Sequence, residues 1–337
     1  MDRLTEPAAI AARWDGTLCR GVVQLKKIVV PVVLVVVALS MGLALLVVVT
    51  GSGAEGTPTT GGTGGTGGGS AGSAAGGVGP GTAIPATWVS LYQQAASTCP
   101  GLSWSVLAAI GTVETDSGQS TAVGVWSGAN GAGAEGPMQF EPSTFSAYAT
   151  VGPEGTVPAS PYDPVDAVYT AAAMLCADGA GTPSSLRSAV EDYNHSDVYA
   201  NTVLALSLAF QANPTTSGTV IAAISFAAEQ LNTPYLWGGT GTGGFDCSGL
   251  VQAAYRRAGI SLPRVAQSQF DAGPAVTSGT SVEPGDLVFF GTGPNSVDHV
   301  GLYVGAGEMI DAPHTGALVR FDNADWSDLA GATRPAA

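Results

Sequence analysis

The sequence predicts a multidomain protein: one transmembrane helix, then a mainly α-helical domain, then an α+β domain with an antiparallel sheet. Residues 28–49 are an unbroken apolar run, and residues 83–212 carry apolar side chains at helical spacings. Short alternating runs typical of strands follow residue 220. At 337 residues the chain has room for about two folded domains.

The apolar run at residues 28–49, "IVVPVVLVVVALSMGLALLVVV", has the length of a membrane-spanning helix. At 1.5 Å per residue it reaches about 33 Å, enough to cross a hydrocarbon core. Basic residues cluster before it, so the positive-inside rule predicts that residues 1–27 are a cytoplasmic tail and that the remainder is extracellular. A retained anchor is favoured over a cleaved signal peptide, whose apolar region is only about 7–15 residues long. The predicted product is a single-pass cell membrane protein.

Two segments are predicted to connect the domains. Residues 50–82 are rich in Gly, Thr and Ser, and a flexible chain of this length holds its ends about 30 Å apart. Residues 213–219, "NPTTSGT", read as a short hinge between a helical domain over 83–212 and a second domain over 220–337.

Composition argues against two classes of ligand. The net charge of -15 disfavours nucleic acid, because phosphate binding needs clustered Lys and Arg. Three scattered histidines and the absence of closely spaced cysteine pairs in the sequence predict no metal site and no cofactor.

The four cysteines fall in different segments. Cys19 is expected to stay reduced on the cytoplasmic side. Outside the cell, Cys99 and Cys176 are the expected disulfide, which leaves Cys247 free. The alternative is that all of them are buried thiols.

Cys247 begins the predicted helix "CSGLVQAAYRRAG". Unpaired N–H groups and the positive end of the helix dipole favour a thiolate there. A cysteine nucleophile also needs a base, and His299 begins the alternating run "HVGLYVG". With a three-residue hairpin loop at 305–307, Asp311 becomes a same-face diagonal neighbour of His299. The alternatives are that Cys247 is an inert core cysteine and that His299 has only a structural role.

The stretch "TPYLWGGTGTGGFDCSGLVQAAYRRAGISLPR", with "PGDLVFFG" and "DHVGLYVGAGEMIDAP", resembles the NlpC-type family of cell-wall cysteine peptidases over residues 220–335. The resemblance implies a papain-like fold with Cys247 as nucleophile and His299 as base. It implies Asp311 as the residue that orients the base, where many members have His; His314 is the second candidate.

The same resemblance implies that Tyr235 supplements an oxyanion hole and that Asp246 and Ser248 contact the peptide. The implied reaction is hydrolysis of the amide between D-γ-glutamate and the following diamino acid of a peptidoglycan stem peptide.

Glu114 lies on the flank of an apolar stripe in the predicted helix "SWSVLAAIGTVETDSG". A carboxyl in apolar surroundings has a raised pKa and can act as a general acid. The alternative is a surface glutamate near the end of a helix.

Four stretches resemble the lysozyme-like, SLT-type lytic transglycosylases over residues 83–212: "VETDSG", "GPMQFEPSTFSAYA", "DPVDAVYTAAAMLC" and "DYNHSDVYANTVL". The resemblance implies that Glu114 is the single catalytic acid. This sequence departs from the family's pattern at His195 and Ser196. The implied substrate-contacting residues are Met138, Gln139 and Phe140 in the sugar groove, with Tyr193 and Asn194 beside the glutamate.

The sequence offers no clear second carboxylate for an ordinary glycosidase. A lytic transglycosylase needs none, because the 6-hydroxyl of muramic acid attacks and a 1,6-anhydro product forms. This reaction is favoured over muramidase hydrolysis assisted by Glu135 or Asp116.

Together these features predict a membrane-anchored bifunctional peptidoglycan hydrolase that faces the cell wall. Its expected partners are peptidoglycan, the membrane and a secretion or conjugation apparatus. Two other functions are considered: a wall-binding scaffold with an inactive glycan domain, and a cysteine-dependent acyltransferase.

Overall fold

The computed structural model describes residues 83–277, 279–325 and 327–336. The predictions for residues 1–27, 28–49 and 50–82, and for Cys19, lie outside the described residues. Within those described, no helix combines the length and apolarity that a membrane crossing requires.

Residues 83–212 fold into helices around a buried central helix. The helix predicted within residues 103–118 is observed over Trp104–Thr115, and Leu107 and Ile110 are fully buried in it. It packs on the first and sixth helices. The helices are α1 Ala86–Ala96, α2 Trp104–Thr115, α3 Pro142–Tyr148, α4 Pro164–Ala177, α5 Pro183–Asn194 and α6 Asp197–Ala212.

A disulfide joins the chain after α1 to the end of α4. It links Cys99 to Cys176, with 5.6 Å between the Cα atoms, while Cys247 is free and buried. Asp163 starts α4 by accepting a hydrogen bond from Val165 N at 2.9 Å.

The rest of the described chain is an α+β region, as expected. Its helices are α7 Gly218–Glu229, α8 Cys247–Arg257 and α9 Ala266–Ala272. The strands are β1 Thr240–Gly241, β2 Gly244–Phe245, β3 Leu287–Gly293, β4 Ser296–Gly305, β5 Glu308–Asp311, β6 Arg320–Asn323 and β7 Leu329–Thr333.

The strands β3 to β7 form one antiparallel sheet in the order β6-β5-β4-β3-β7, and β1 and β2 pair separately. Helix α8 packs on both α7 and β4. This packing places the start of α8 beside the sheet.

The turn between β4 and β5 differs from the expected three-residue loop. Gly305 pairs with Glu308, and the ladder shifts between Tyr303 and Gly305. Only Ala306 and Gly307 are unpaired, with φ of 54° and 83°. Two successive positive φ angles are typical of a tight two-residue hairpin turn, which matches the twist of the strands better than the longer loop. Beyond the shift the expected register holds.

Helix α6 contacts both halves of the described chain. It packs on α2 at one side and on α7 and β4 at the other. At Gly305 an added Cβ would lie 2.6 Å from the carbonyl oxygen of Leu208 on α6. Helix α7 already begins at Gly218, inside the segment predicted as a hinge. The hinge over 213–219 stays a prediction.

Candidate active site

Cys247 is the first residue of α8 and is 8% exposed. Asp246 caps this helix by accepting from Gly249 N at 2.7 Å. The Cys247 sulfur lies 4.0 Å from the carbonyl oxygen of Asp298, the residue before His299. The helix start therefore faces the strand that carries the histidine.

His299 on β4 and Asp311 on β5 are in direct contact. Nε2 of His299 lies 2.7 Å from Oδ2 of Asp311. Since Nε2 is engaged there, Nδ1 is the ring nitrogen left for the hydrogen bond that His299 shares with Cys247. The three side chains thus form a continuous Cys–His–Asp contact.

The surroundings of His299 favour the imidazolium. Burial lowers its pKa, but hydrogen bonds and charges from Asp311 and Cys247 outweigh this and raise the pKa of His299 to about 9. Burial raises the pKa of Asp311, and the contact with His299 opposes that rise. The imidazole of His299 is therefore protonated at neutral pH while it holds these contacts.

His314 does not take the orienting position. It is exposed, and its Nδ1 lies 3.1 Å from the carbonyl oxygen of Thr315. Asp311, the first candidate for that role, is the residue that contacts the His299 ring.

Tyr235 lies close enough to Cys247 for their charges to interact. Burial raises the pKa of the Tyr235 phenol, and the proximity of Cys247 and Asp246 adds to the rise. Its hydroxyl is therefore a neutral donor at physiological pH.

Asp246 and Ser248 make internal contacts in this structure. Asp246 accepts from Gly238 N at 2.9 Å and from the guanidinium of Arg264. Nη1 of Arg264 also donates to Ser248 Oγ at 3.0 Å. Their contact with a peptide stays a prediction. Sequence reasoning overlooked Arg264, although it ends the quoted motif "GISLPR".

Glu114 near the end of α2 is held by a tyrosine that sequence reasoning also overlooked. The hydroxyl of Tyr199 on α6 donates to Oε1 of Glu114 at 2.8 Å. Burial raises the pKa of Glu114 to about 7, although the bond from Tyr199 lowers it. The quoted stretch "DVYANTVL" contains Tyr199, but only the packing of α6 on α2 brings the two residues together.

Tyr193 lies in the same cluster. Its ring stacks on Tyr199 with centroids 6.3 Å apart, and its hydroxyl donates to the carbonyl oxygen of Met138 at 2.9 Å. A charge on Glu114 contributes to the raised pKa of Tyr193. Asn194 is exposed at the last residue of α5.

The three residues expected in a sugar groove differ in accessibility. Met138 and Phe140 are 0% and 2% exposed, so their side chains pack into the core. Gln139 is partly exposed and donates to Gly136 O at 2.7 Å. Of the three side chains, Gln139 is the one accessible to a ligand.

Asp116 and Glu135 are the two acidic residues considered as assistants to Glu114. Asp116 is the left-handed C-cap of α2, with φ of 55°. Glu135 lies close enough to Tyr162 to raise the pKa of its phenol, while the Tyr162 hydroxyl donates to the carbonyl oxygen of Gly128 at 2.9 Å. In residues 83–277, 279–325 and 327–336, no group of three or more His, Cys, Asp or Glu side chains could hold a metal ion.

Comparisons with known proteins match the region around Cys247. The NlpC/P60 family profile matches residues 232–330. Probable endopeptidase p60 of Listeria monocytogenes is 45% identical over 100 residues, which are 30% of this chain and 20% of that protein. The gamma-D-glutamyl-L-lysine dipeptidyl-peptidase of Bacillus subtilis is 44% identical over 106 residues, 31% of this chain and 36% of that enzyme.

A solved NlpC/P60 family protein from Bacillus cereus is 35% identical, with a TM-score of 0.33; the match covers 34% of this chain and 40% of that one. The chain thus spans only a fifth to about a third of the length of the two curated relatives. The sequence matches place residues 232–330 in the NlpC/P60 family, so this part of the chain is an NlpC/P60 domain with a papain-like fold.

Proposed function

We propose that this protein is a peptidoglycan endopeptidase that cleaves stem peptides between D-γ-glutamate and the following diamino acid. The observation that carries the proposal is the contact series Cys247, His299, Asp311, with 2.7 Å between the last two side chains. The name of the Bacillus subtilis relative, a gamma-D-glutamyl-L-lysine dipeptidyl-peptidase, supports the choice of bond.

In this reaction the thiolate of Cys247 attacks the amide carbonyl carbon, and the carbon–nitrogen bond breaks. His299 supplies the proton from Nδ1 to the leaving amine, and water then hydrolyses the thioester. Asp311 accepts from Nε2–H and keeps the ring in orientation. Tyr235 donates to the oxygen that becomes negative as the tetrahedral intermediate forms.

A second activity is proposed for Glu114, namely cleavage of the MurNAc–GlcNAc bond. Its pKa, which burial raises to about 7, supports a role as general acid, since the carboxyl holds a proton near neutral pH. Lytic transglycosylation is favoured over muramidase hydrolysis because the sequence offers no clear second carboxylate to assist Glu114.

We also propose that residues 28–49 anchor the protein in the membrane, with both activities outside the cell. An anchor restricts cutting to a defined place, such as a secretion or conjugation apparatus crossing the wall. Fractionation and protease accessibility of whole cells test this. Recovery of the protein from the medium without residues 1–49 contradicts it.

The decisive experiment for both activities is digestion of purified sacculi with the full chain, with products identified by mass. We expect cut stem peptides from the parent protein and none from Cys247→Ala. Anhydro ends are expected from the parent and are lost in Glu114→Gln. The exposed Glu154→Gln is the matched control and should behave as the parent.

Peptide cleavage that persists in Cys247→Ala refutes the endopeptidase. New reducing ends instead of anhydro ends identify a muramidase. Binding to sacculi without any glycan product identifies a wall-binding scaffold. Products joined to an added amine identify an acyltransferase.

A further inference from the structure

Arg264 makes a two-pronged ion pair with the residue that precedes the proposed nucleophile. Its Nη1 lies 2.9 Å from Oδ1 of Asp246, and its Nη2 lies 2.7 Å from Oδ2. The same guanidinium donates to Ser248 Oγ at 3.0 Å and to Gly239 O at 3.4 Å. Planar pairing of this kind fixes both charge and orientation.

Asp246 is surrounded by donors from three parts of the chain. Besides Arg264, it accepts from Gly249 N inside α8 and from Gly238 N in the glycine-rich loop. Its side chain is only 12% exposed. The Asp246 side chain therefore connects the loop at 238–239 to the start of the helix that carries Cys247 by hydrogen bonds.

A poorly solvated carboxylate next to a thiol opposes ionisation of that thiol. Asp246 is the chain neighbour of Cys247, so its negative charge lies beside the site where a thiolate must form. The guanidinium of Arg264 interacts electrostatically with both residues. It offsets the charge of Asp246, while the imidazole of His299 and the phenol of Tyr235 are the other titratable groups that face Cys247.

We propose that Arg264 is a positioning residue for the nucleophile: it neutralises Asp246 so that Cys247 can ionise, and it holds the glycine loop against the start of α8. This inference rests on the proposed role of Cys247. It assigns Asp246 and Arg264 a joint electrostatic role that neither performs alone.

A purely structural bond and a charge-compensating pair predict different results. If the bond only supports the fold, removing both partners is at least as harmful as removing one. If the pair compensates charge, removing Arg264 alone exposes the thiol to Asp246, whereas removing both charges restores the balance.

The test is the pH dependence of alkylation of Cys247 by iodoacetamide in the full chain, read by mass on the peptide that contains this residue. For Arg264→Gln we expect the midpoint to move up by about one pH unit, with about tenfold slower alkylation near pH 7. The double variant Asp246→Asn/Arg264→Gln should return to within about threefold of the parent. Arg256→Gln, at the exposed end of α8, is the control and should not shift.

An unchanged midpoint in Arg264→Gln overturns the proposal, as does a double variant as slow as the single one. Circular dichroism shows whether each variant folds. If Arg264→Gln does not, Asp246→Asn decides, because Asn remains a good helix cap and the arginine is then unopposed. Its midpoint should move down, and the absence of a downward shift overturns the proposal.

Alkylation does not require peptidoglycan. A protein with the expected alkylation shifts that leaves stem peptides intact therefore refutes the proposed reaction and leaves the role of Arg264 standing.

Discussion

Oδ2 of Asp311 lies 2.7 Å from Nε2 of His299, across two neighbouring strands of the sheet. The side chain of Asp311 is fully buried and that of His299 is 12% exposed, so bulk water screens the contact weakly. The contact sets both the orientation of the ring and its charge at neutral pH.

Replacing Asp311 by Asn should separate orientation from charge. Asn can still accept from Nε2–H, but the negative charge is gone, so the pKa of His299 should fall from about 9 towards about 6.5. NMR titration of the imidazole measures this. The exposed Asp298→Asn is the control and should change the pKa little. An unchanged value in Asp311→Asn would show that another group holds the proton.

The stability of the parent protein should fall in alkaline solution because of His299. Its folded pKa of about 9 exceeds its ordinary 6.5, so the native state holds an extra proton between these values. The resulting stabilisation is complete below about pH 6.5 and is lost as pH rises through about 9, with a ceiling of about 3 kcal/mol. Urea unfolding at about pH 6.5 and at about pH 9 measures the loss of unfolding free energy between them. This loss should be smaller in His299→Gln than in the parent protein. Equal losses in the two proteins would contradict the linkage.

Removing the hydroxyl of Tyr199 should move the titration of Glu114 upward. The bond from Tyr199 stabilises the carboxylate, so Tyr199→Phe should raise the pKa of Glu114 further above about 7. A general acid acts while protonated, and the alkaline limit of glycan cleavage should therefore shift to higher pH. The control is Tyr162→Phe, which removes a hydroxyl that lies near Glu135 and should leave the Glu114 titration unchanged. A lower pKa of Glu114 in Tyr199→Phe would show that the Tyr199 hydroxyl does not stabilise the Glu114 carboxylate.

Removing the disulfide should destabilise the helical region. Cys99 and Cys176 are 77 residues apart. Closing a loop of this size lowers the conformational entropy of the unfolded chain and so stabilises the folded state by about 4 kcal/mol. Guanidinium unfolding of Cys99→Ala/Cys176→Ala should show a loss of this order, and reductant should bring the parent to the same value. Cys247→Ala should remain sensitive to reductant. A parent protein indifferent to reductant would argue against a stabilising bridge.

The contact of the β4–β5 turn with α6 should be sensitive to one methyl group. Gly305 has φ of 114°, and a Cβ there would lie 2.6 Å from Leu208 O, so Gly305→Ala should cost about 2–4 kcal/mol. Gly307 in the same turn has φ of 83° and open space, so Gly307→Ala should cost about 1–2 kcal/mol from backbone strain alone. Equal losses of unfolding free energy would mean that α6 does not support the hairpin.

Much of the α+β region could be predicted because its signals are local. Alternation in "HVGLYVG" put His299 on the face opposite the apolar residues, and the register after the turn put Asp311 beside it. The details of the turn were wrong because a bulge between Tyr303 and Gly305 leaves a two-residue loop with the same register beyond it. The resemblance to one family, carried by the residues around Cys247, was confirmed for residues 232–330.

Local sequence patterns were enough to predict which residue starts α8, which strand face carries His299, and that Glu114 borders an apolar stripe. Each depends on spacing within about a dozen residues. The pairing of Arg264 with Asp246, and the contact of Tyr199 with Glu114, 85 residues away along the chain, became visible only in the folded structure. Such partners are brought together by the packing of separate segments, which depends on the shape and burial of many side chains at once and leaves no periodic trace in the sequence.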